Sequence, residues 1–487
     1  MIALSLAEVA ALTGGTVVPG GAADAVVNGP VVIDSRKAVP GALFVAIVGE
    51  RADGHDFAAS AGERGAVAAL AARPVEGVPC VVVPDVMAAL ALLARGVLTR
   101  LPGLAVTGIT GSSGKTSTKD ITAQLLERLG PTVSTEASLN NELGLPLTVL
   151  RATEQTRFLV LEMAARGPGH IGFLCDIAPP RIGAVLNVGR AHAGEFGSLE
   201  TVAKAKGELV EALPAASAGG VAVLNADDAR VLAMADRTDA RVVTFSAAPR
   251  RAGPGGRPPG TPEKGAGVPA ADVRAAEITL DDVGRASFRL VMPGGMAPVR
   301  LRLHGAHHVP NSLAAAAIAA ESGMEVPAIA DALSAATARS GKRMEVRERP
   351  DGVLVINDAY NANPDSMRAG IEALGHMISR GRRGIAVLGH MAELGDIDHE
   401  SHAEAGRLAA RAGVAALIAV GESADATLSG ARSEAGWVGE AIAVPGPAPA
   451  IAALRNQLHP NDVVLVKASK AAGLWEVADR LLTEVDG

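Results

Sequence analysis

Lys115 and Thr116 close the run Gly108-Ile109-Thr110-Gly111-Ser112-Ser113-Gly114-Lys115-Thr116-Ser117. This order of residue types suits a polyphosphate. Glycines let the main chain approach an anion, and the N–H groups of the loop and of the helix it opens point inward. Thr110, Gly111, Ser112, Ser113, Gly114, Lys115, Thr116 and Ser117 are therefore the candidate ATP-binding loop. Lys115 is placed to reach the β- and γ-phosphates, and the Thr116 hydroxyl to ligate Mg2+. The spacing departs from G-x-x-x-x-G-K-[ST]: Ile109 stands where that pattern has glycine, leaving T-G-x-x-G-K-T.

Three further residues have the right chemistry. Glu162 ends the apolar run Phe158-Leu159-Val160-Leu161. A carboxylate at the C-terminal end of a strand lies where open α/β sheets bind ligands, and Mg2+ prefers such oxygens. The alternative is an ordinary strand-end acid facing solvent. His192 follows the run 182–188 and is expected at the same edge, as a ligand or as a hydrogen-bonded loop residue. Lys206 lies in the helical pattern Ala203-Lys204-Ala205-Lys206-Gly207-Glu208-Leu209, where lysines ordinarily face water.

Elements must position these groups. Short apolar runs at 104–109, 157–162, 182–188, 221–225 and 242–245, and again at 353–357, 385–389, 415–420 and 463–467, alternate with helical patterns. That is the signature of parallel sheets covered on both faces. The loop opens a helix marked by Ile121, Leu125 and Leu129, with Gly130 as its expected C-cap. Leu280 to Leu303 reads as hairpin strands, followed by an Ala-rich helix from about Asn311 to Glu321 that Gly323 stops. The Pro/Gly-rich stretch of about 248–271 is expected as a mobile surface insertion without a catalytic role. An α/β protein of three domains follows: a smaller α/β unit at 1–101, a central P-loop domain with a parallel sheet at 102–338, and a doubly wound, Rossmann-like domain at 339–487.

Composition narrows the function. Forty-five basic residues face 52 acidic ones for a net charge of −7, which disfavours nucleic acid and anionic membranes. Phe 7, Trp 2 and Tyr 1 leave few platforms for stacking bases. Cys80 and Cys175 form no C-x-x-C pair and are expected as small buried hydrophobes in a reducing compartment. The N-terminus has no basic region before its apolar residues, and no run approaches the ~20 apolar residues that span a bilayer. A cytoplasmic protein without membrane insertion is expected.

Taken together, T-G-x-x-G-K-T, Glu162, His192 and Ala205-Lys206-Gly207-Glu208-Leu209 resemble the central domain of the ATP-dependent Mur ligases. Asp34-Ser35-Arg36, Pro40-Gly41-Ala42-Leu43-Phe44 and Asp53-Gly54-His55-Asp56-Phe57 are similar to the family's N-terminal UDP-binding domain. Ser138 to Pro146 resembles its loop after the first helix, and Gly305 to Asn311 its adenine-side segment. The segment Ile356 to Met367 resembles the branch that adds D-alanyl-D-alanine.

The resemblance implies ATP-dependent amide formation between UDP-N-acetylmuramoyl-tripeptide and D-alanyl-D-alanine, through an acyl phosphate, in peptidoglycan precursor synthesis. It implies Lys115, Glu162, His192 and Lys206 as catalytic residues. Thr116 and Glu162 would hold one Mg2+, and His192 with a carbamylated Lys206 a second. Asn311, Arg343 and Asp358 would contact ATP, and Ser35, Arg36, Asn140 and Asn141 the peptide precursor. A monomer is expected. The chain departs from the family at His308, at His390 and at Lys470, to which no role is carried over. The alternatives are the family's ligase for the third amino acid, more distantly folylpolyglutamate synthetase, and a regulatory P-loop ATPase without ligase activity.

Overall fold

The computed structural model describes residues 1–189, 197–248 and 271–483. Three larger sheets carry the described residues, beside a two-stranded antiparallel pair of Leu4–Ser5 and Val26–Val27. The first has five strands in the order Thr16–Val18, Cys80–Val82, Ala66–Ala71, Ala42–Val45 and Val31–Val32, parallel except for the first pair. The third has six, ordered Glu345–Glu348, Leu354–Asp358, Val463–Lys467, Gly384–Leu388, Ala416–Val420 and Glu440–Val444, with only the first strand antiparallel.

The central sheet has nine strands. Thr132–Ser134, Phe158–Glu162, Ala105–Thr110, Ile182–Val185, Val221–Asn225, Arg241–Ser246 and Val273–Leu280 run parallel in that spatial order. Arg285–Met292 and Gly295–His304 extend it as an antiparallel meander. The switch from buried apolar runs to alternation marks this change. Phe158–Glu162 is buried throughout, whereas Arg285–Met292 alternates exposed and buried positions. These sheets with their helices make the fold α/β, as the sequence pattern predicts.

One face of the central sheet packs against the helices Lys115–Leu126, His308–Glu321 and Val326–Ala335 through Ile121, Leu125, Leu313, Ala316 and Ile329. The run Ala314 to Ala317 lets the second helix lie close to the first. The other face shares a continuous core with the N-terminal region. Leu90, Leu93 and Val97 of the helix Val86–Thr99 join Leu145, Val149, Leu159 and Leu209. The change of sheet near residue 101 is therefore not a break in packing.

Three sequence expectations need correction. The helix after the loop ends at Leu126, before Gly130. Gly130 instead makes room for Arg157, whose Cδ would lie 2.6 Å from an added Cβ and whose guanidinium donates to Leu129 O at 2.8 Å. The strand expected at 182–188 stops at Val185, and Asn187 turns to accept from Ser113 N–H of the glycine-rich loop. The meander begins earlier than Leu280, at Val273. The Pro/Gly-rich insertion lies outside the described residues apart from its ends.

Candidate active site

The strand Ala105–Thr110 delivers its chain into the loop, and Gly114 caps the helix Lys115–Leu126 with a left-handed φ of 79°. An added Cβ there would meet Asn311 Oδ1 at 2.5 Å, so glycine is what lets Asn311 close over the loop. The loop is held from the neighbouring strand end. Ser113 N–H donates to Asn187 Oδ1 at 2.9 Å, and Asn187 Nδ2 donates back to Ser113 O at 3.2 Å. Ser112 Oγ accepts from Gly189 N–H at 2.8 Å. Asn225 Nδ2 in turn donates to Leu186 O at 2.8 Å.

Lys115 Nζ donates to Gly111 O at 2.6 Å, folded back over its own loop. Burial holds its pKa below the usual lysine range; the Glu162 carboxylate opposes this and the Arg343 guanidinium adds to it. Thr116 Oγ1 donates to Glu162 Oε2 at 2.8 Å, and Asn140 Nδ2 donates to Glu162 Oε1 at 2.8 Å. Glu162 is 2% exposed, which rules out the solvent-facing reading. Its own N–H donates to Thr135 Oγ1 at 3.0 Å, so both side chain and main chain are fixed.

Lys206 is also buried, at 4% exposure, on the helix Leu199–Glu211. Burial, then the charge of Lys115, pushes its pKa well below that of a free lysine, which favours the neutral amine. Its neighbours explain the motif. Gly207 leaves space for the Arg237 guanidinium, which lies on the helix and donates to Ala203 O at 3.1 Å and Lys204 O at 2.9 Å. Glu208 caps the next helix, His170–Ile177, accepting from Gly169 N–H at 2.6 Å and Gly172 N–H at 3.0 Å. His192 lies outside the described residues.

Ser112 to Ser117 and Glu162 line a cleft of about 700 Å3 whose far wall is the C-terminal domain, and Lys206 is not among its lining residues. Asn140, Asn141, Asn311, Arg343 and Asp358 all line it. Asp358 accepts from Met344 N–H at 3.0 Å and from Lys467 Nζ at 2.6 Å, so it also fixes the segment that bears Arg343. Asn363 reaches across to Ser112 O at 3.5 Å, and Tyr360 hydrogen-bonds Ser138. Ser35 and Arg36 lie elsewhere, on the turn Ser35–Lys37 beside the first sheet. Arg36 is exposed and paired with Asp34 by two bonds of 2.9 Å, which hold the Asp34 carboxyl down to about 2.

The departures fall apart on inspection. His307 lines the cleft, whereas His308 is buried at 4% exposure and does not line it. His390 stacks on His402, at 5.1 Å between centroids. With Asp398 they form, among the described residues, a cluster at metal-ligand spacing. His402 has no lone pair to give, because Nε2 accepts from Met391 N–H at 2.9 Å and Nδ1 faces Asp398 O at 2.9 Å. Asn187, Asn225 and Tyr360 are cleft residues that sequence reasoning missed, since a single amide or phenol carries no spacing signal.

Comparison with known proteins agrees with this geometry. Residues 30–97 match the model of the Mur ligase family catalytic domain, 109–319 the Mur ligase middle domain, and 342–470 the Mur ligase glutamate ligase domain. The chain is 48% identical to the UDP-N-acetylmuramoyl-tripeptide–D-alanyl-D-alanine ligase of Mycobacterium tuberculosis, over 99% of this chain and 98% of that one. Its fold is similar to a crystal structure of MurF from Acinetobacter baumannii, with a TM-score of 0.84, 28% identity and 99% of each chain covered. It is also similar to MurF from Thermotoga maritima in complex with ADP, with a TM-score of 0.75, 29% identity and 94% and 97% covered. With three domain models matched in order and full-length relatives of this identity, the chain belongs to the Mur ligase family.

Proposed function

We propose that this cleft joins D-alanyl-D-alanine to UDP-N-acetylmuramoyl-tripeptide by ATP-dependent amide formation, a step in peptidoglycan precursor synthesis. The observation that carries it is the facing arrangement of two sets of groups. Lys115, Thr116 and Glu162 stand on the central domain, and Arg343 stands opposite on the C-terminal one. The relatives named for this reaction span nearly the whole chain, which favours it over addition of the third amino acid.

The chemistry asks two anions to meet. The precursor carboxylate attacks the γ-phosphorus of ATP, ADP departs, and an acyl phosphate forms. The dipeptide amine then adds to the acyl carbon, giving a tetrahedral intermediate that expels phosphate and loses a proton. Lys115 and Arg343 lower the cost of the first encounter by bracketing the phosphate, and the burial of Thr116 and Glu162 makes each charge count for more. Contact between the two domains protects the acyl phosphate from hydrolysis. Asn140 and Asn141 line the side where the precursor enters.

The donor set fits Mg2+. A hydroxyl and a carboxylate 2.8 Å apart at the start of the phosphate-binding helix are the hard oxygens that ion prefers. Thr116 and Glu162 would hold it, and when bound it neutralises the β- and γ-phosphate oxygens. A lysine ammonium does not fit a second ion. A neutral amine does react with CO2, losing a proton to become a carbamate, and the burial of Lys206, which lowers its pKa, favours that form. We assign it that modification, with His192 as the companion ligand.

We further assign 1–101 to the UDP moiety, through Ser35 and Arg36, 102–338 to ATP, and 339–487 to closure and to the nucleotide through Arg343 and Asp358. Because ATP is consumed, we place the reaction in the cytoplasm. The test is mass spectrometry of the product from ATP, the UDP-tripeptide and the dipeptide. The expected product gains the dipeptide mass minus one water, and its absence would refute the assignment.

A further inference from the structure

Arg343 is held in an unusual backbone. Lys342 and Met344 on either side have left-handed φ values of 62° and 50°, uncommon for residues with side chains. Each is pinned. The Lys342 ammonium lies over the Trp475 ring at 4.5 Å, and Lys342 O accepts from Tyr360 N–H at 3.0 Å. Met344 is buried, with its N–H given to Asp358. Strain kept in place by so many contacts marks a segment whose side chain must be aimed.

What the Arg343 side chain rests on is Tyr360. The guanidinium carbon lies 4.2 Å from the ring centroid, and Lys470 Nζ approaches the same ring at 5.9 Å. A guanidinium on an aromatic face keeps its donors free at the edges while its position is fixed. The other end of Tyr360 leaves its own domain: the hydroxyl hydrogen-bonds Ser138, on the loop that also carries Asn140. Ser138 itself follows Ala137, a third left-handed residue, with φ 48°. One side chain therefore touches the arginine of the C-terminal domain and the precursor loop of the central domain.

We propose that Tyr360 is a positioning residue that couples domain closure to Arg343. Its hydroxyl docks on Ser138 when the domains meet, and its ring then carries the guanidinium to the phosphate loop. This rests on the placement of Arg343 at the transferred phosphate. The arginine is thus presented only in the closed form, where the acyl phosphate is shielded. Lys470, on the same ring, shares the support.

The test uses the full-length protein and the ligation assay. Tyr360→Leu, which removes both ring and hydroxyl, is expected to lower kcat by at least about thirtyfold while KM for the UDP-precursor stays within about twofold, as for loss of an interaction made only in the transition state. Tyr360→Phe keeps the ring and tests the latch alone. Tyr360→Phe and Ser138→Ala should each lower kcat by roughly three- to tenfold, and their combination should be no worse than the more severe single change, because both remove one contact. The chain has a single tyrosine, so fluorotyrosine labelling gives one 19F signal. That signal should move when ATP and precursor bind, and should not move in Ser138→Ala. Independent, multiplying effects of Tyr360→Phe and Ser138→Ala would overturn the coupling. So would a Tyr360→Leu variant within twofold of the parent while Arg343→Ala is inactive. An active Arg343→Ala would instead remove the underlying placement of Arg343.

Discussion

Thr116 and Glu162, 46 residues apart, meet at 2.8 Å where two adjacent parallel strands end. The register pairs Glu162 with Ile109, so the carboxylate emerges level with the start of the phosphate loop. Asn140 donates to the second carboxylate oxygen, so both oxygens of Glu162 are engaged.

Glu162→Gln should therefore cost far more activity than stability. A drop in kcat of about 10²- to 10³-fold is expected, with little change in the melting temperature, since Gln Oε1 can still accept from Asn140 Nδ2 while its Nε2 donates to the Thr116 hydroxyl, which turns from donor to acceptor. Titration of activity against Mg2+ should show a raised requirement. An unchanged Mg2+ dependence would remove Glu162 from the ion's site.

Lys206→Ala should be nearly inactive and partly restored by short carboxylic acids such as acetate or propionate, which replace the carbamate oxygens. Full activity without any added acid would contradict the carbamate. The parent protein should lose activity when CO2 is stripped from the buffer and regain it with bicarbonate.

Gly114→Ala tests the loop geometry. Alanine would need a left-handed φ and would meet Asn311 Oδ1. Roughly 1–2 kcal/mol of strain is expected, along with a raised KM for ATP. Asn311→Ala in the same background should relieve part of the strain, measured by thermal melting.

His307 makes stability depend on pH. Burial lowers its pKa from 6.5 to about 4, with Asp358 opposing and Lys467 assisting. Between those values the unfolded chain binds the extra proton, so the folded state loses stability as pH falls from 6.5 toward 4. The ring is only half-buried at the cleft wall, which reduces the effect by solvent screening to about 1–3 kcal/mol. His307→Gln should flatten this part of the stability profile, measured by urea unfolding at several pH values.

How much of this was legible beforehand follows from what each feature depends on. The phosphate loop, Glu162 and the buried strands are local: glycine spacing and apolar runs state them directly. Lys206 was legible only by resemblance, because a helical lysine looks solvated until the fold buries it. Gly130 was misread as a cap because its partner, Arg157, is 27 positions further along and comes alongside only through sheet pairing. Asn187, Asn225, Arg237 and Tyr360 were invisible for the same reason, their roles being made by contacts between distant segments. Asn311 and Arg343 line the cleft, while His308, a departure from the family's pattern, is buried.

The most direct test of the account is phosphate release from ATP measured with each substrate alone and with both together. Release is predicted to be slow with either the UDP-tripeptide or the dipeptide alone, and to rise to match amide product one for one when both are present. Equal release with and without the two substrates would contradict the ligase reading and leave only an ATPase.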